Sequence, residues 1–209
     1  MSLDLQDVAV GPKGGAPLFE ALSLSVAPGE VATLMGPSGI GKSTLLDAIG
    51  GHLAHGFIVT GSVRLNGRCV LGLPAEARRI GVLFQDAMLF PHLSVGDNLA
   101  FGLARSVRGV ARRLAVDAAL EQAGLAGFAG RDPATLSGGQ RARAALMRAL
   151  LAQPEALLLD EPFSRLDAEL RAEIRGFVFE HLRKCGIPGL LVTHDASDAD
   201  AAGGMVVNL

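Results

Sequence analysis

Hydrophobic residues recur along the chain in two patterns that predict two kinds of strand. Three segments alternate apolar and polar residues, as half-exposed antiparallel strands do. These segments are 3–10, 22–26 and 61–66. Four continuous apolar runs end at polar or loop residues, as buried parallel strands do where they deliver side chains to a site. These runs are VATLMG at 31–36, IGVLFQD at 80–86, ALLLDE at 156–161 and GLLVTH at 189–194.

Helical patterns lie between the continuous runs and predict an α/β fold with a mostly parallel core sheet. These patterns cover Lys42–Gly50, Gly138–Ala152 and Asp167–Cys185. The stretch 86–135 differs, because it contains further helical patterns and no convincing strand. We therefore expect a helical subdomain over 87–151, inserted into a core formed by 1–86 and 152–209. The alternating strands predict an antiparallel β region in the N-terminal part of that core.

Composition and charge exclude several classes of protein. Of the 209 residues, 49% are hydrophobic and 19% are charged, which favours a sizeable core over disorder. The net charge of −2 gives no basic surface for nucleic acid. Cys69 and Cys185 suggest no disulfide framework. No stretch reaches the roughly 18–20 apolar residues of a membrane helix, so we expect a cytoplasmic protein that reaches the membrane through a partner.

The segment GPSGIGKST is the strongest single indicator of chemistry. It follows a predicted strand and precedes a predicted helix, which is the context that a phosphate-binding loop requires. Small residues let successive backbone N–H groups point at a phosphate, and the helix N-terminus adds its dipole. The lysine can reach the β- and γ-phosphates, and Ser43 can bind Mg²⁺. The candidate ATP-binding residues here are Gly36, Pro37, Ser38, Gly39, Ile40, Gly41, Lys42, Ser43 and Thr44.

Acidic residues end the apolar run ALLLDE. Asp160 stands where a carboxylate can hold Mg²⁺ through water. Glu161 follows directly, and a carboxylate one step beyond a metal ligand can accept a hydrogen bond from an attacking water. The sequence therefore predicts a metal ligand and a general base at this strand end.

Two other strand ends carry polar residues that should open on the same edge of the sheet. His194 follows GLLVT and can contact a γ-phosphate there. Gln85 follows VLF, and its amide can bind Mg²⁺ or water weakly without adding charge. A lone histidine or glutamine at such a place is more often structural, so both predictions depend on the nearby phosphate loop.

A second anion-binding segment, LSGGQ, opens the predicted helix at 138–152. Its backbone N–H groups and the Ser137 hydroxyl can hold phosphate, so Ser137, Gly138, Gly139 and Gln140 are further candidate ATP-binding residues. The helical insert should carry this segment well away from the first loop. We therefore expect it to bind the nucleotide of a second copy of the chain, in a two-fold homodimer that ATP closes.

Taken together, GPSGIGKST, LSGGQ, LLLDEPFSRLD and VTHD, in the family's order, resemble the nucleotide-binding cassette of ABC transporters. The resemblance covers nearly the whole chain. It implies a P-loop NTPase (RecA-like) fold, the cofactors ATP and Mg²⁺, and a role for each motif. The implied roles are Walker A at Gly36–Thr44, Q-loop at Gln85, signature at Leu136–Gln140, Walker B at Asp160, catalytic base at Glu161, D-loop at Ser164–Asp167 with a catalytic Asp167, and switch histidine at His194.

The segment FQDAMLFPHLSVGDNLAFGL is similar to importer cassettes of the thiamine, iron and spermidine group. That similarity implies a membrane permease whose coupling helices contact the region Gln85–Asn98, a solute-binding protein, and ATP hydrolysis that drives uptake of a small solute, for which a thiamine-like compound is one expectation. The chain departs from the family in having no Tyr or Trp to stack on adenine, with the core-phased Phe19 as the nearest aromatic candidate. Further departures are Ala142 after the signature and Arg165 in the D-loop.

Two other functions remain open at this point. Non-transport ABC-type ATPases act on DNA-repair or translation machinery, but usually carry a long coiled coil or two cassettes in one chain. About 50 residues separate Gln85 from Leu136, which is too few for such an arm. A P-loop kinase of small metabolites is the second alternative, and it would leave LSGGQ unexplained.

Overall fold

The computed structural model describes residues 1–209 and contains two sheets and seven α-helices. The strands are β1 (Leu3–Pro12), β2 (Leu22–Val26), β3 (Val31–Met35), β4 (Phe57–Leu65), β5 (Arg68–Cys69), β6 (Ile80–Leu83), β7 (Ala156–Asp160), β8 (Gly189–Val192) and β9 (Val206–Asn208). The helices are α1 (Lys42–Gly50), α2 (Ala75–Arg78), α3 (Val95–Gly102), α4 (Gly109–Gln122), α5 (Gly138–Leu151), α6 (Ala168–Cys185) and α7 (Ala196–Ala202).

The alternating segments form the antiparallel sheet that the pattern predicts. Its strand order is β2-β1-β4-β5, and β2 shows a strictly alternating burial of its side chains. The register of β1 shifts between Leu5 and Val8 because a bulge interrupts the strand, with Asp7 in the left-handed region at φ 50°. The bulge brings the Asp7 carbonyl so close to Gly61 of β4 that a Cβ there would lie 2.3 Å from its oxygen, so only glycine fits.

The continuous apolar runs form the second sheet, in the order β6-β7-β8-β3-β9. The pairs β7–β8, β8–β3 and β3–β9 are parallel, as expected for strands that are buried on both faces. Asp160 and Leu34 both pair with Val192, so the carboxyl ends of β7, β8 and β3 meet at one edge. Because parallel strands present their following loops at that edge, the fold gathers the segments after Met35, Asp160 and Val192 there.

One hydrophobic cluster joins the two sheets to helix α1. The fully buried Leu45 and Ile49 lie on α1, and the cluster includes Leu158 of β7, Val192 of β8 and Val10 of β1. Complete burial of side chains of this size stabilises a fold by roughly 1.5–3 kcal/mol each. The apolar residues of α1 thus pack the helix against the sheets. Its first residues, Lys42 and Ser43, directly follow the loop after β3.

The chain divides into two compact units. The first contains 1–82, 155–161 and 175–209, and the second contains 83–154 and 162–174. Helices α3, α4 and α5 belong to the second unit, whose buried residues include Leu99, Leu120, Leu125, Leu146 and Phe163.

The units differ from the predicted domain boundaries by a few residues, at 83–86 and 152–154, and by the whole segment 162–174. Residues 162–174, expected in the core, group with the helical unit. The guanidinium of Arg171 donates hydrogen bonds to the carbonyl oxygens of Phe163, Ser164 and Leu166, so this segment folds back on itself. None of the helices is both long and apolar enough to cross a membrane.

The α/β fold with a parallel core sheet, an N-terminal antiparallel sheet and a helical region is therefore confirmed. The short elements β5, α2 and β9 are additions that the hydrophobic pattern did not indicate. Phe19 is 8% exposed and belongs to the hydrophobic cluster, so it is a core residue as its phase in the sequence suggested.

Candidate functional site

The loop between β3 and α1 is shaped to surround an anion. Gly39 and Gly41 adopt φ values of 84° and 107°, which curl the backbone in a way that other residues rarely allow. A Cβ on Gly41 would lie 2.7 Å from the side chain of Leu18. Helix α1 begins directly after Gly41, with no side-chain cap and no acidic residue in its first turn. Its first N–H groups and its dipole are therefore available to a negatively charged ligand.

Lys42 is held against this loop rather than extended into solvent. The residue is 5% exposed, and its ammonium donates to the carbonyl oxygens of Gly36, at 2.8 Å, and Pro37, at 3.0 Å. A buried ammonium needs such acceptors or an anion to compensate its lost hydration. The lysine is thus positioned inside the curl of the loop, where phosphate oxygens can replace carbonyl oxygens as its partners.

Ser43 and Asp160 meet where α1 starts and β7 ends. The Ser43 hydroxyl donates a hydrogen bond of 2.9 Å to Oδ1 of Asp160, although 117 residues separate them. The pKa of the Asp160 carboxyl is raised, chiefly because the group is buried. The charge of Glu161 also raises this pKa, whereas the Ser43 hydrogen bond and the charge of Lys42 lower it. A hydroxyl and a carboxylate in contact form an oxygen pair of the kind that Mg²⁺ prefers.

Glu161 and His194 form the other half of this edge. Glu161 has φ 45°, a left-handed conformation that is rare for a side chain of this size, and its N–H donates to the Val192 carbonyl at 2.9 Å. This turn at the end of β7 brings Oε1 of Glu161 to 3.2 Å from Nδ1 of His194. The histidine side chain is 58% exposed, so it faces outward from the sheet edge. Strained backbone of this kind clusters at functional sites.

The LSGGQ segment begins helix α5 as the sequence predicts. Ser137 is the N-cap: its hydroxyl accepts from the Gln140 N–H at 3.2 Å, and the Gln140 side chain accepts from the Ser137 N–H at 2.9 Å. This reciprocal capping box fixes the helix start. Gly139 has a packing reason as well, since a Cβ there would lie 2.4 Å from the side chain of Leu170. The two glycines leave the first two positions of α5 without side chains.

The remaining predicted residues lie in the second unit. Gln85 is two residues beyond the end of β6, and its amide donates to the Ser164 hydroxyl at 3.0 Å. Asp167 caps α6, accepting from the Leu170 N–H at 3.0 Å. Arg165 forms an ion pair with Asp86. Their catalytic or metal-binding roles stay predictions.

The region Gln85–Asn98, predicted to face a permease, is held together by Asn98. This residue is fully buried; its amide donates to the carbonyl oxygens of Phe90, Leu93 and Ser94 and accepts from the Phe90 N–H. Phe90 packs against Phe101 with ring centroids 4.7 Å apart. Asn98 therefore shapes this loop from inside, while Met88 and Phe101 are exposed.

The structure thus brings together Lys42, Ser43, Asp160, Glu161 and His194 within the first unit. It places Gln85, Asp167 and the segment Ser137–Gln140 in the second unit. Sequence reasoning missed the buried polar residues that support the site. Arg78, Thr193 and Asp198 are only 6%, 2% and 2% exposed, although polar and charged residues of these kinds are mostly exposed. Thr193 follows a buried strand directly and Asp198 lies in the next helix, whereas Arg78 ends the short helix α2; no local pattern marks the three as buried.

Comparisons with known proteins agree with these motifs. The ABC transporter family matches residues 19–164. The chain is 54% identical over 184 residues to the uncharacterised ABC transporter ATP-binding protein YnjD of Escherichia coli strain K12, covering 88% of this chain and 85% of that protein.

Two relatives with named cargo are similar at a lower level. The Fe(3+) ions import ATP-binding protein FbpC 3 of Rhodococcus jostii strain RHA1 is 45% identical over 197 residues, which is 92% of this chain and 55% of that protein. The spermidine/putrescine import ATP-binding protein PotA of Pseudomonas fluorescens strain Pf0-1 is 44% identical over 189 residues, 89% of this chain and 51% of that protein. The chain therefore spans about half the length of both relatives.

The phosphate loop, the carboxylates at the end of β7 and the histidine after β8 occur on the fold of a P-loop NTPase, and the family match includes the first two of these. ATP binding follows from this match. The chain belongs to the ATP-binding subunits of ABC transporters, which are ATPases coupled to transport.

Proposed function

We propose that the chain is the ATP-hydrolysing subunit of an importer for a small solute. The observation that carries the proposal is the pair of contacts at one sheet edge, Ser43 with Asp160 at 2.9 Å and His194 with Glu161 at 3.2 Å, directly beside the phosphate loop. Phosphoryl transfer needs positioning and charge neutralisation more than covalent chemistry. Backbone N–H groups, one buried ammonium and these four polar side chains at one edge supply both.

Lys42 and the start of α1 bind the phosphates in this proposal. The ammonium leaves the Gly36 and Pro37 carbonyls for oxygens of the β- and γ-phosphates, which are stronger acceptors because they carry charge. The loop N–H groups and the α1 dipole neutralise further charge. Because this charge develops most fully in the transition state, these groups favour the transition state over bound ATP.

Ser43 and Asp160 are the residues that would hold Mg²⁺, with Gln85 as a predicted third ligand. Their contact fits this role, since it places a neutral hydroxyl oxygen and a carboxylate close together, and both are oxygen ligands that Mg²⁺ accepts. Mg²⁺ would supply charge neutralisation at the β- and γ-phosphates. The raised pKa of Asp160 means that protons compete with the metal for this carboxylate at low pH.

Glu161 acts as general base and His194 as the residue that steadies the γ-phosphate. The carboxylate accepts a hydrogen bond from the attacking water and receives its proton as the water oxygen bonds to the γ-phosphorus and the bond from that phosphorus to ADP breaks. His194, in contact with Glu161, fixes the direction of that carboxylate and can donate to a γ-phosphate oxygen. Asp167 is a further predicted catalytic residue, from its place in the D-loop.

The site is composite in this proposal, with two copies of the chain closing around two ATP molecules. Ser137 and Gly139 of one copy approach the γ-phosphate that the other copy holds, using the unobstructed first turn of α5. A two-fold pair makes both sites equivalent. ATP binding then favours the closed dimer, and hydrolysis favours opening.

The partners follow from the relatives. Similarity to importer subunits for iron and for spermidine or putrescine supports a permease, contacted near Gln85–Asn98, and a solute-binding protein. The cargo is a small solute, with a thiamine-like compound as the prediction from the sequence. The subunit then works at the cytoplasmic face of the membrane. The alternative of a DNA-repair or translation ATPase is less well supported, because no relative described above carries such a name.

Lys42→Ala tests this assignment. We expect weaker ATP binding together with loss of turnover, because the substitution removes the charge partner of the phosphates. Lys13, which lies outside the phosphate loop and is exposed, provides the matched control, and Lys13→Ala should leave both quantities unchanged. Calorimetry measures affinity and phosphate release measures turnover. Unchanged ATP affinity in Lys42→Ala would contradict the assignment.

Co-purification tests the transport role separately. Stable association with an integral-membrane permease is expected. Stable association with DNA or ribosomes instead would favour the alternative.

A further inference from the structure

A buried polar network lies directly behind His194 and is not part of the site described above. Its members are Thr193 at the end of β8, Asp198 in α7 and Arg175 in α6, all in the first unit. Thr193 and Asp198 are each 2% exposed. None of the three touches the phosphate loop through a hydrogen bond in the structure, so a direct role in binding ATP is not indicated.

Both oxygens of the Asp198 carboxylate have a partner. Oδ2 accepts a hydrogen bond of 2.9 Å from the Thr193 hydroxyl, and Oδ1 accepts one of 2.9 Å from Nη1 of Arg175. The side chains of Arg175 and Asp198 are 14% and 3% exposed, so the ion pair is almost completely removed from water. A buried pair of this kind is often no more stabilising than apolar residues of the same volume. Stability alone therefore does not account for the pair, and its place beside His194 points to a role there.

The network controls the backbone on both sides of His194. The Thr193 hydroxyl also accepts a hydrogen bond of 3.1 Å from the Asp195 N–H, so one side chain bridges the residues before and after the histidine. Ser197 adds a second link, since its hydroxyl accepts from Arg175 at 2.7 Å and it binds the Asp195 carboxylate through its own N–H at 2.8 Å.

His194 itself has little else to fix it. Its side chain is 58% exposed, and its ring contacts the Glu161 carboxylate. A ring on an exposed loop end keeps one direction only if the backbone beneath it is fixed. A displacement of about 1 Å at a catalytic group costs up to roughly a hundredfold in rate.

We propose that Thr193, Asp198 and Arg175 are positioning residues for ATP hydrolysis, which hold His194 where its Nδ1 reaches Glu161. This inference rests on the proposed function, because it assigns a task to the surroundings of the proposed switch histidine. It predicts that the network affects turnover through His194 and leaves nucleotide binding to Lys42 and the phosphate loop.

A matched pair of substitutions at position 193 tests the inference. Thr193→Val keeps the shape of the side chain but removes both hydrogen bonds, whereas Thr193→Ser keeps the hydroxyl and loses a methyl group. We expect kcat of Thr193→Val to fall by about tenfold to a hundredfold, with KM for ATP changed by less than about twofold. Thr193→Ser should recover kcat to within about threefold of the unsubstituted protein.

A spectroscopic measurement separates positioning from general damage. Nuclear magnetic resonance of ¹⁵N-labelled histidine rings, with the His194 signal identified by its absence in His194→Gln, should show that signal shifted or broadened in Thr193→Val alone. The signal of His181, whose Nδ1 lies 2.8 Å from the Phe177 carbonyl oxygen, should stay in place. If Thr193→Val does not fold, Asp198→Asn takes its place in both measurements, because one amide oxygen cannot serve both donors with equal strength.

The outcomes distinguish this inference from the proposed function. Full turnover in Thr193→Val with an unmoved His194 signal, while His194→Gln is inactive, would overturn the positioning role and leave the proposed function standing. A parallel loss of ATP affinity and kcat would also overturn it, by showing structural damage. Full activity of His194→Gln would instead contradict the role of His194 in the proposed function.

Discussion

Arg78 offers a sharp test of how the phosphate-loop helix is held. Its guanidinium is buried, with the residue only 6% exposed, and donates four hydrogen bonds to backbone carbonyl oxygens. Two of these belong to Ala48 and Ile49 near the C-terminus of α1, at 2.6 and 2.8 Å. A cation at this end of a helix also interacts favourably with the helix dipole. Burial lowers the pKa of Arg78, but an arginine side chain stays a cation in proteins.

The expected effect of Arg78→Met follows from these contacts. Methionine fills part of the volume but leaves four carbonyl oxygens without their donor. A hydrogen bond to a charged group contributes about 1.5–3 kcal/mol, but the sum over four bonds overstates the loss, because burial of the guanidinium offsets part of it. We expect a net destabilisation of about 3–5 kcal/mol, because each buried carbonyl oxygen left without a donor costs about 1–3 kcal/mol before that offset. For a chain of this size that lowers Tm by roughly 6–20 °C.

Thermal unfolding monitored by circular dichroism measures this change, since the chain has no Trp or Tyr for fluorescence. Arg64 on β4 is exposed, so Arg64→Met is the matched control and should shift stability by less than about 0.5 kcal/mol. Arg78→Lys should fall between the two, because an ammonium cannot reproduce the planar fork. A Tm of Arg78→Met within about 2 °C of the unsubstituted protein would show that the hydrogen bonds of Arg78 do not stabilise the fold as proposed.

Three further outcomes are expected. Base selectivity should be poor, with GTP hydrolysed within about tenfold of ATP, because Phe19 is buried in the core and no Tyr or Trp exists to stack on adenine; a hundredfold preference in an ATPase assay would contradict this. Mixing the inactive variants Ser137→Arg and Lys42→Ala, with the permease present, should restore part of the activity, since one site of a mixed dimer is then intact; no recovery would count against composite sites. Burial raises the pKa of Asp47 and of Asp160, so each binds its proton more tightly in the folded state, and stability contributed by these groups falls as pH rises through their raised pKa values. In urea titrations, the free energy of unfolding should therefore fall less steeply with rising pH in Asp47→Asn than in the unsubstituted protein. An unchanged dependence on pH would argue against the raised pKa of Asp47.

The hydrophobic pattern predicts most of the fold because burial dictates it locally. Continuous apolar runs became parallel strands, alternating runs became the antiparallel sheet, and the long helices start and end within about two residues of their predicted bounds. The strand β9 escaped prediction because it has only three residues and depends on β3 for its hydrogen bonds. No local pattern reveals such a partner.

The residues of the site also differ in whether a local pattern predicts them. Glycines, a lysine and strand-end carboxylates form local motifs, so Lys42, Ser43, Asp160 and Glu161 are readable from the sequence. The supporting residues are not, since their partners are distant: Arg78 binds a carbonyl oxygen 30 residues earlier, and Arg175 binds a carboxylate 23 residues later. A buried charge is recognisable only once its environment is known.

ATP turnover by Glu161→Gln tests most directly whether Glu161 is the general base of ATP hydrolysis. The amide keeps the shape of the side chain but cannot take the proton of the attacking water. We expect this variant to bind ATP with unchanged affinity, to lose turnover by at least about a hundredfold, and to accumulate as an ATP-bound dimer in light scattering. Turnover equal to that of the unsubstituted protein would contradict the assignment of Glu161 as the base, and with it the proposed reaction at this edge of the sheet.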